Sequence, residues 1–279
     1  MLKIIDTHQH LWDTSNLEYP WLEGFDLLKQ QYTPQDYRDA IGDINVVKSV
    51  HVEGDPAETH VVQEVEWLTH IAETDGMIEA IAAAAPLEKP NVEAILEQLT
   101  ASDLVVGIRR MAWHHPDNQF YASPELINGV KLLEKYNLSF ELCAKHDQLP
   151  AAIELVKATP DITHAVNHCG GPNIKDGEFE PWATHMRELA AFDNVYCKVS
   201  GVVTTASENW TPEELKPYIR HLIEVFGYDR LMFGSDWPVC TLAAQYHQWL
   251  EALLFAIEDA SDAEKNRFFY QNALEFYKM

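Results

Sequence analysis

Short apolar runs alternate with amphipathic stretches along the whole 279-residue chain. The runs are Lys3–Thr7, Val47–Val52, Met77–Ala83, Leu104–Ile108, Leu138–Cys143, Thr163–Asn167, Val195–Val199 and Arg230–Phe233. They are rich in Val, Ile and Leu and apolar on both faces, as strands buried on both sides of a parallel sheet must be. Between them the apolar period lengthens to that of a helix. Ala57–Thr74 carries Val61, Val65, Leu68 and Ile71–Ala72 on one face, and Asn91–Thr100 carries Val92, Ile95, Leu96 and Leu99. Ser123–Tyr136 opens Ser-Pro-Glu, an N-cap followed by proline at the first helical position, and Thr211-Pro212-Glu213-Glu214 repeats the device. Asp147–Thr159, Pro181–Phe192, Leu242–Ile257 and a last helix, Asp262–Tyr277, complete the set.

Strands alternating with helices imply parallel pairing through right-handed crossovers. Eight such units predict a (β/α)8 TIM barrel, and no linker or low-complexity tract divides residues 1–279, so a single domain is expected. A doubly wound open sheet is the competing α/β fold. No glycine-rich phosphate-binding motif follows the first strand, which favours the barrel.

The formal net charge of −24 turns the chain away from nucleic acid, whose phosphates demand a basic surface. No run of eighteen apolar residues predicts a membrane span, and the N-terminus lacks the basic and apolar regions of a secretory signal. A cytoplasmic protein is the expectation. Cys143, Cys169, Cys197 and Cys240 have no paired spacing and read as reduced, buried thiols. Phe268-Phe269-Tyr270 in the last helix serves either a homodimer interface or the barrel's own base.

In such barrels function gathers at the C-terminal ends of the strands. Those ends carry His8 and His10, Glu53, Arg109, Lys145 and His146, His168, Lys198 and Asp236. Side chains at i and i+2 of a strand share a face, so His8 and His10 converge on one point that a metal, a water or a substrate could occupy. Asp236 follows the last run and lies beside them if the first and last strands are neighbours. Lys145 and His146 are adjacent, so only one can face inward. The loop Met111–Tyr121, with Trp237, Trp12 and Trp21, offers aromatic faces to a small cyclic ligand, or else packs helices on the barrel. His114 and His115 diverge as neighbours must, which argues against their acting as a second ligand pair.

Asp6-Thr7-His8-Gln9-His10-Leu11-Trp12, Val106-Gly107-Ile108-Arg109, Asn167-His168-Cys169-Gly170-Gly171-Pro172 and Gly234-Ser235-Asp236-Trp237-Pro238-Val239 together resemble the amidohydrolase superfamily. Within it they are most similar to the sugar-acid lactonase branch of TIM-barrel hydrolases, which holds L-fuconolactonase, L-rhamnonolactonase and 2-pyrone-4,6-dicarboxylate lactonase. The resemblance runs from His8 to Asp236 and includes Cys197-Lys198-Val199-Ser200-Gly201.

It implies an enzyme that hydrolyses a small lactone. Asp236 is then the general base, with His8, His10 and His168 either polarising the carbonyl or holding a divalent ion. Arg109, Glu53, Lys145, His114 and Trp237 are the substrate-facing candidates. Arg109 suits a carboxylate or paired hydroxyls, or else forms an ion pair with Glu53. If His146 faces inward, it joins His8, His10 and Asp236 around one zinc; if Lys145 does, it binds a substrate oxygen. The branch contains both metal-dependent and metal-independent enzymes, and the fourth strand ends in Arg109 where a bridging carboxylated lysine would stand, so at most one metal is expected. Two other readings stand beside the lactonase: a decarboxylase of an aromatic or enoic acid on the same barrel, and a barrel that binds a ligand without turnover.

Overall fold

Eight strands pair in chain order into one parallel sheet in the computed structural model, which describes residues 2–279. They are β1 (Ile4–Gln9), β2 (Val46–Val52), β3 (Ile78–Ala84), β4 (Val105–Met111), β5 (Ser139–Cys143), β6 (His164–Val166), β7 (Val195–Val199) and β8 (Leu231–Phe233). The sheet curls until its edges meet. Thr7 Oγ1 donates to the Phe233 carbonyl at 2.7 Å, the Asp236 amide to the His8 carbonyl at 2.7 Å, and the His10 amide to the Trp237 carbonyl at 2.7 Å. That seam brings two motifs more than 220 residues apart into one place.

The helices are α1 (Pro34–Ile41), α2 (Val61–Asp75), α3 (Val92–Leu99), α4 (Pro124–Lys131), α5 (Leu149–Ala158), α6 (Trp182–Ala190), α7 (Pro212–Phe226), α8 (Tyr246–Ala256), α9 (Asp262–Asn266) and α10 (Asn272–Tyr277). Helix α1 was not expected. It buries only Tyr37 and Ile41, too thin a stripe to show as periodicity, yet Thr33 and Asp36 form a reciprocal cap with Pro34 at the first position. The expected last helix is interrupted by a π turn at Arg267–Gln271. Phe268 and Phe269 are wholly buried, so that pair builds the barrel's own base. Ala273, Phe276 and Tyr277 of α10 close the bottom against Ile5, Val50, Ala80, Ala165 and Met232 of the strands.

All four cysteines are free and buried. No helix among the described residues is long and apolar enough to cross a membrane. Lys198 differs from its expectation as a rim residue. It is 0% exposed inside the barrel, where Nζ donates to Glu141 Oε2 at 2.5 Å. Glu141 also accepts from Tyr277 Oη at 2.8 Å and Asn167 Nδ2 at 2.9 Å. Its inward position on β7 forces the ammonium to find a counter-charge below the rim instead of water above it.

Candidate active site

Three imidazoles face one carboxylate at the C-terminal mouth of the barrel. Asp236 Oδ1 lies 3.3 Å from His10 Nε2, 3.7 Å from His8 Nε2 and 3.9 Å from His168 Nε2. The backbone aims these side chains deliberately. Both His168 (φ 49°) and Asp236 (φ 60°) occupy the left-handed region, a costly conformation for residues with a Cβ that persists where the surroundings over-determine it. In β1 the pairing register shifts between Asp6 and Gln9. Before that shift, Ile5 packs in the barrel interior, while Asp6 accepts bonds from Tyr37 and Tyr246 outside it and from the Ser235 amide across the seam.

The donor pattern leaves a place for positive charge. His10 Nδ1 lies 2.7 Å from the Val52 carbonyl and must donate to it, so its Nε2 presents a lone pair. That lone pair faces a carboxylate oxygen at 3.3 Å, two acceptors with nothing to share. Two ligand atoms on one tetrahedral zinc, each about 2.0–2.1 Å from the ion, lie roughly 3.3 Å apart. The observed spacings suit this, and the ligand atoms of His8, His10 and Asp236 all fall within 4.8 Å of one another. The residues present therefore fit a divalent ion with three protein ligands and an open side toward the cavity. His146 is not brought to this group, contrary to the four-ligand alternative: β5 ends at Cys143, two residues before Lys145, and neither Lys145 nor His146 lines the cavity.

Burial lowers the basicity of all three imidazoles, helped by one another and by nearby Arg109 and Lys198. His10 falls to about 3 and His168 to about 4, while His8 lies well below its ordinary value, so all three are neutral at pH 7. Burial pushes the Asp236 carboxyl up, opposed by His168, Arg109 and Lys198. The result is a carboxylate of raised proton affinity at the cavity floor, ringed by neutral nitrogen ligands.

Arg109 is paired rather than free. Its Nε donates to Glu53 Oε1 at 2.5 Å, its Nη2 to the Glu53 carbonyl at 2.6 Å, and its Nη1 lies 3.4 Å from His8 Nε2. Arg109 thus forms the ion pair with Glu53 and also lines the cavity, whereas Glu53, 1% exposed, is its counter-ion and does not line the cavity. Trp237 is also corrected: 3% exposed, it packs edge-on against Tyr32 and tilts over Tyr37 behind the seam.

The cavity has a volume of about 240 Å³. His10, His168, Asp236 and Arg109 form its floor, and Trp21, Phe25, Met111, Trp113, Val239 and Leu242 its apolar walls. His114 lines it, as expected, whereas His115 stacks on Phe120 at 4.0 Å away from it. Trp12 is fully buried behind Trp21. Several lining residues were not legible in the sequence, among them the polar Asp55 and Thr204. Asp55 sits on the loop after β2 and Thr204 in a short 3-10 turn, Val203–Thr205, after β7, where no periodicity marks a side chain's direction.

The amidohydrolase family model matches residues 5–279, and the chain belongs to that family. It is 28% identical to an L-fucono-1,5-lactonase of Burkholderia ambifaria over 281 residues, covering 99% of this chain and 95% of that one. It is 22% identical to an L-rhamnono-gamma-lactonase of Scheffersomyces stipitis over 71% of this chain and 67% of the other. A crystal structure of an amidohydrolase from Burkholderia multivorans with bound zinc superposes with a TM-score of 0.88 at 26% identity, covering 99% of both chains.

Proposed function

We propose that this amidohydrolase opens the ring of a small lactone, with a sugar-acid lactone as the first choice of substrate. The observation that carries the reading is the convergence of His8, His10 and His168 on Asp236 at the floor of a cavity large enough for one ring. The lactonase names of relatives aligned over most of the chain support the substrate class.

In this reading a water lies between the floor and the lactone carbonyl. Asp236, raised in proton affinity by burial, takes the water's proton as oxygen attacks the carbonyl carbon. The ring C–O bond then breaks, and the same proton passes to the departing alkoxide, giving a hydroxy acid. Ser200 Oγ, 3.1 Å from His168 Nδ1, donates to it and leaves Nε2–H free to hydrogen-bond the developing oxyanion. Apolar walls exclude competing water from this exchange. A divalent metal, when bound, would be held by His8, His10 and Asp236, as the zinc-bound relative suggests, and would supply Lewis-acid polarisation of the carbonyl.

A pH-indicator assay over a panel of aldonolactones tests the reading. Asp236→Asn should lower turnover by roughly 10²–10⁴-fold with an unchanged melting temperature. Full activity in that variant, or carbon dioxide release from an aromatic acid with no lactone opened, would overturn it.

A further inference from the structure

Asp55 stands out among the residues around the cavity. It follows β2 with φ 57°, a left-handed conformation that aspartate tolerates better than most residues with a Cβ and that its neighbours here support. Three contacts hold it. The Gly54 amide donates to the buried Glu64 carboxyl at 3.1 Å, the Trp21 indole donates to the Gly54 carbonyl at 2.7 Å, and the Asp55 amide donates to Glu53. Gly54 has no room for a side chain, since a Cβ there would lie 2.9 Å from the Tyr19 ring. These contacts hold the turn, and it places Asp55 on the cavity wall, beside a smaller recess that Arg109 and Arg110 also line. Among the described residues that carboxylate neither accepts a hydrogen bond from the chain nor forms an ion pair.

The charge around it is equally specific. Asp55, Asp236 and Arg109 are the acidic and basic residues lining the cavity, and Arg110 also acts on Asp55 from the neighbouring recess; both guanidiniums are already engaged, Arg109 by Glu53 and Arg110 by Glu88 and Glu58. Among the described residues, no unengaged arginine or lysine lines the cavity to meet a ligand carboxylate. A carboxylate with open lone pairs is instead an acceptor for ligand hydroxyls, and it repels an anion held at short range in a partly desolvated space.

We propose that Asp55 is the specificity-determining residue of the site: its carboxylate accepts hydroxyl hydrogen bonds from a neutral, hydroxylated ring and turns away ligands that carry a carboxylate. The inference rests on the reading of the site as a lactone-opening one and adds a direction to it. A neutral ring enters, and the hydroxy acid left after opening is an anion facing Asp55, which favours its release. Anionic lactones such as 2-pyrone-4,6-dicarboxylate are disfavoured from the start.

Asp55→Asn and Asp55→Gly test this, the second because glycine suits the left-handed backbone and protects against misfolding. Both should raise KM for L-fucono-1,5-lactone by roughly 10- to 100-fold with kcat changed less than about threefold, the range for lost hydrogen bonds to a charged acceptor. Both should leave the hydrolysis of unsubstituted δ-valerolactone unchanged. Calorimetry reads the charge preference without turnover: the wild type should bind 1,5-anhydro-L-fucitol more tightly than L-fuconate, and both variants should narrow or reverse that order. An equal loss on δ-valerolactone, or an unchanged binding preference, would overturn the role of Asp55. If the binding preference shifts as expected while the wild type opens no lactone, the lactonase reading falls and the role of Asp55 in choosing ligands stands.

Discussion

Gly201→Ala is the sharpest test of how tightly the catalytic cluster is held. Gly201 ends the Lys198–Gly201 segment with φ 61°, and a Cβ built on it would lie 2.4 Å from His168 Nδ1 and 2.8 Å from His168 Cγ. Ordinary contact begins near 3.4 Å, so the imidazole must retreat by about 1 Å. It cannot do so freely, because Ser200 Oγ sits 3.1 Å from the same nitrogen and the Trp113 ring stands edge-on at 5.9 Å. Misplacing a catalytic group by 1 Å costs on the order of 100-fold in rate. The left-handed backbone adds a stability cost of roughly 1–2 kcal/mol for any residue with a Cβ.

Gly76→Ala separates the two effects. Gly76 caps α2 in the left-handed region with φ 70°, and no atom lies within 4 Å of a new Cβ there. Both variants should lose a few degrees of melting temperature, about 2–4 °C per kcal/mol for a chain approaching this size. Only Gly201→Ala should lose kcat. Measured by steady-state lactone hydrolysis beside differential scanning calorimetry, equal kcat values in the two variants would refute the claim that His168 must stay where Gly201 allows it.

Two further outcomes follow from the geometry. If His8, His10 and Asp236 bind zinc, a concentration 100 times Kd should stabilise the protein by about 2.7 kcal/mol; His10→Ala should abolish that thermal shift and His146→Ala should retain it, and the reverse pattern would reassign the ligand set. His164 is buried on β6 with its pKa lowered to about 4 by burial, Thr159 opposing. The unfolded chain therefore binds a proton that the folded chain refuses between pH 6.5 and 4, so this residue's contribution is full above 6.5 and falls as pH drops, by about 3 kcal/mol in all. In urea titrations at pH 7 and pH 4.5, His164→Gln should show a smaller stability loss between the two than the wild type; an identical loss would remove His164 from the acid response.

The strands and the seam were legible because burial on both faces leaves a composition that survives any detail of packing. The histidines, Arg109 and Asp236 were legible because strand ends in this architecture have only one face to use. What stayed hidden was pairing. A guanidinium near a carboxylate in three dimensions leaves no spacing in the chain: Arg109 and Glu53 lie 56 residues apart and Lys198 and Glu141 57. Without those pairs, Arg109 reads as a free cation awaiting an anionic substrate, and Lys198 as a rim residue. Positive φ at Asp55, His168 and Asp236 is equally silent, since aspartate and histidine give no glycine to mark the turn.

Those hidden features act together on the cavity. Glu53 neutralises Arg109, and the same carboxylate receives the amide of Asp55. One buried glutamate thus removes the cation that would have attracted an anionic ligand and braces the turn that presents an acceptor to a neutral one. The guanidinium retains one nitrogen directed at His8, where its charge adds to the burial that lowers the basicity of the neighbouring imidazoles. The Arg109–Glu53 pair thus leaves the cavity without a free guanidinium and adds, beside the dominant effect of burial, to the neutrality of the three imidazoles.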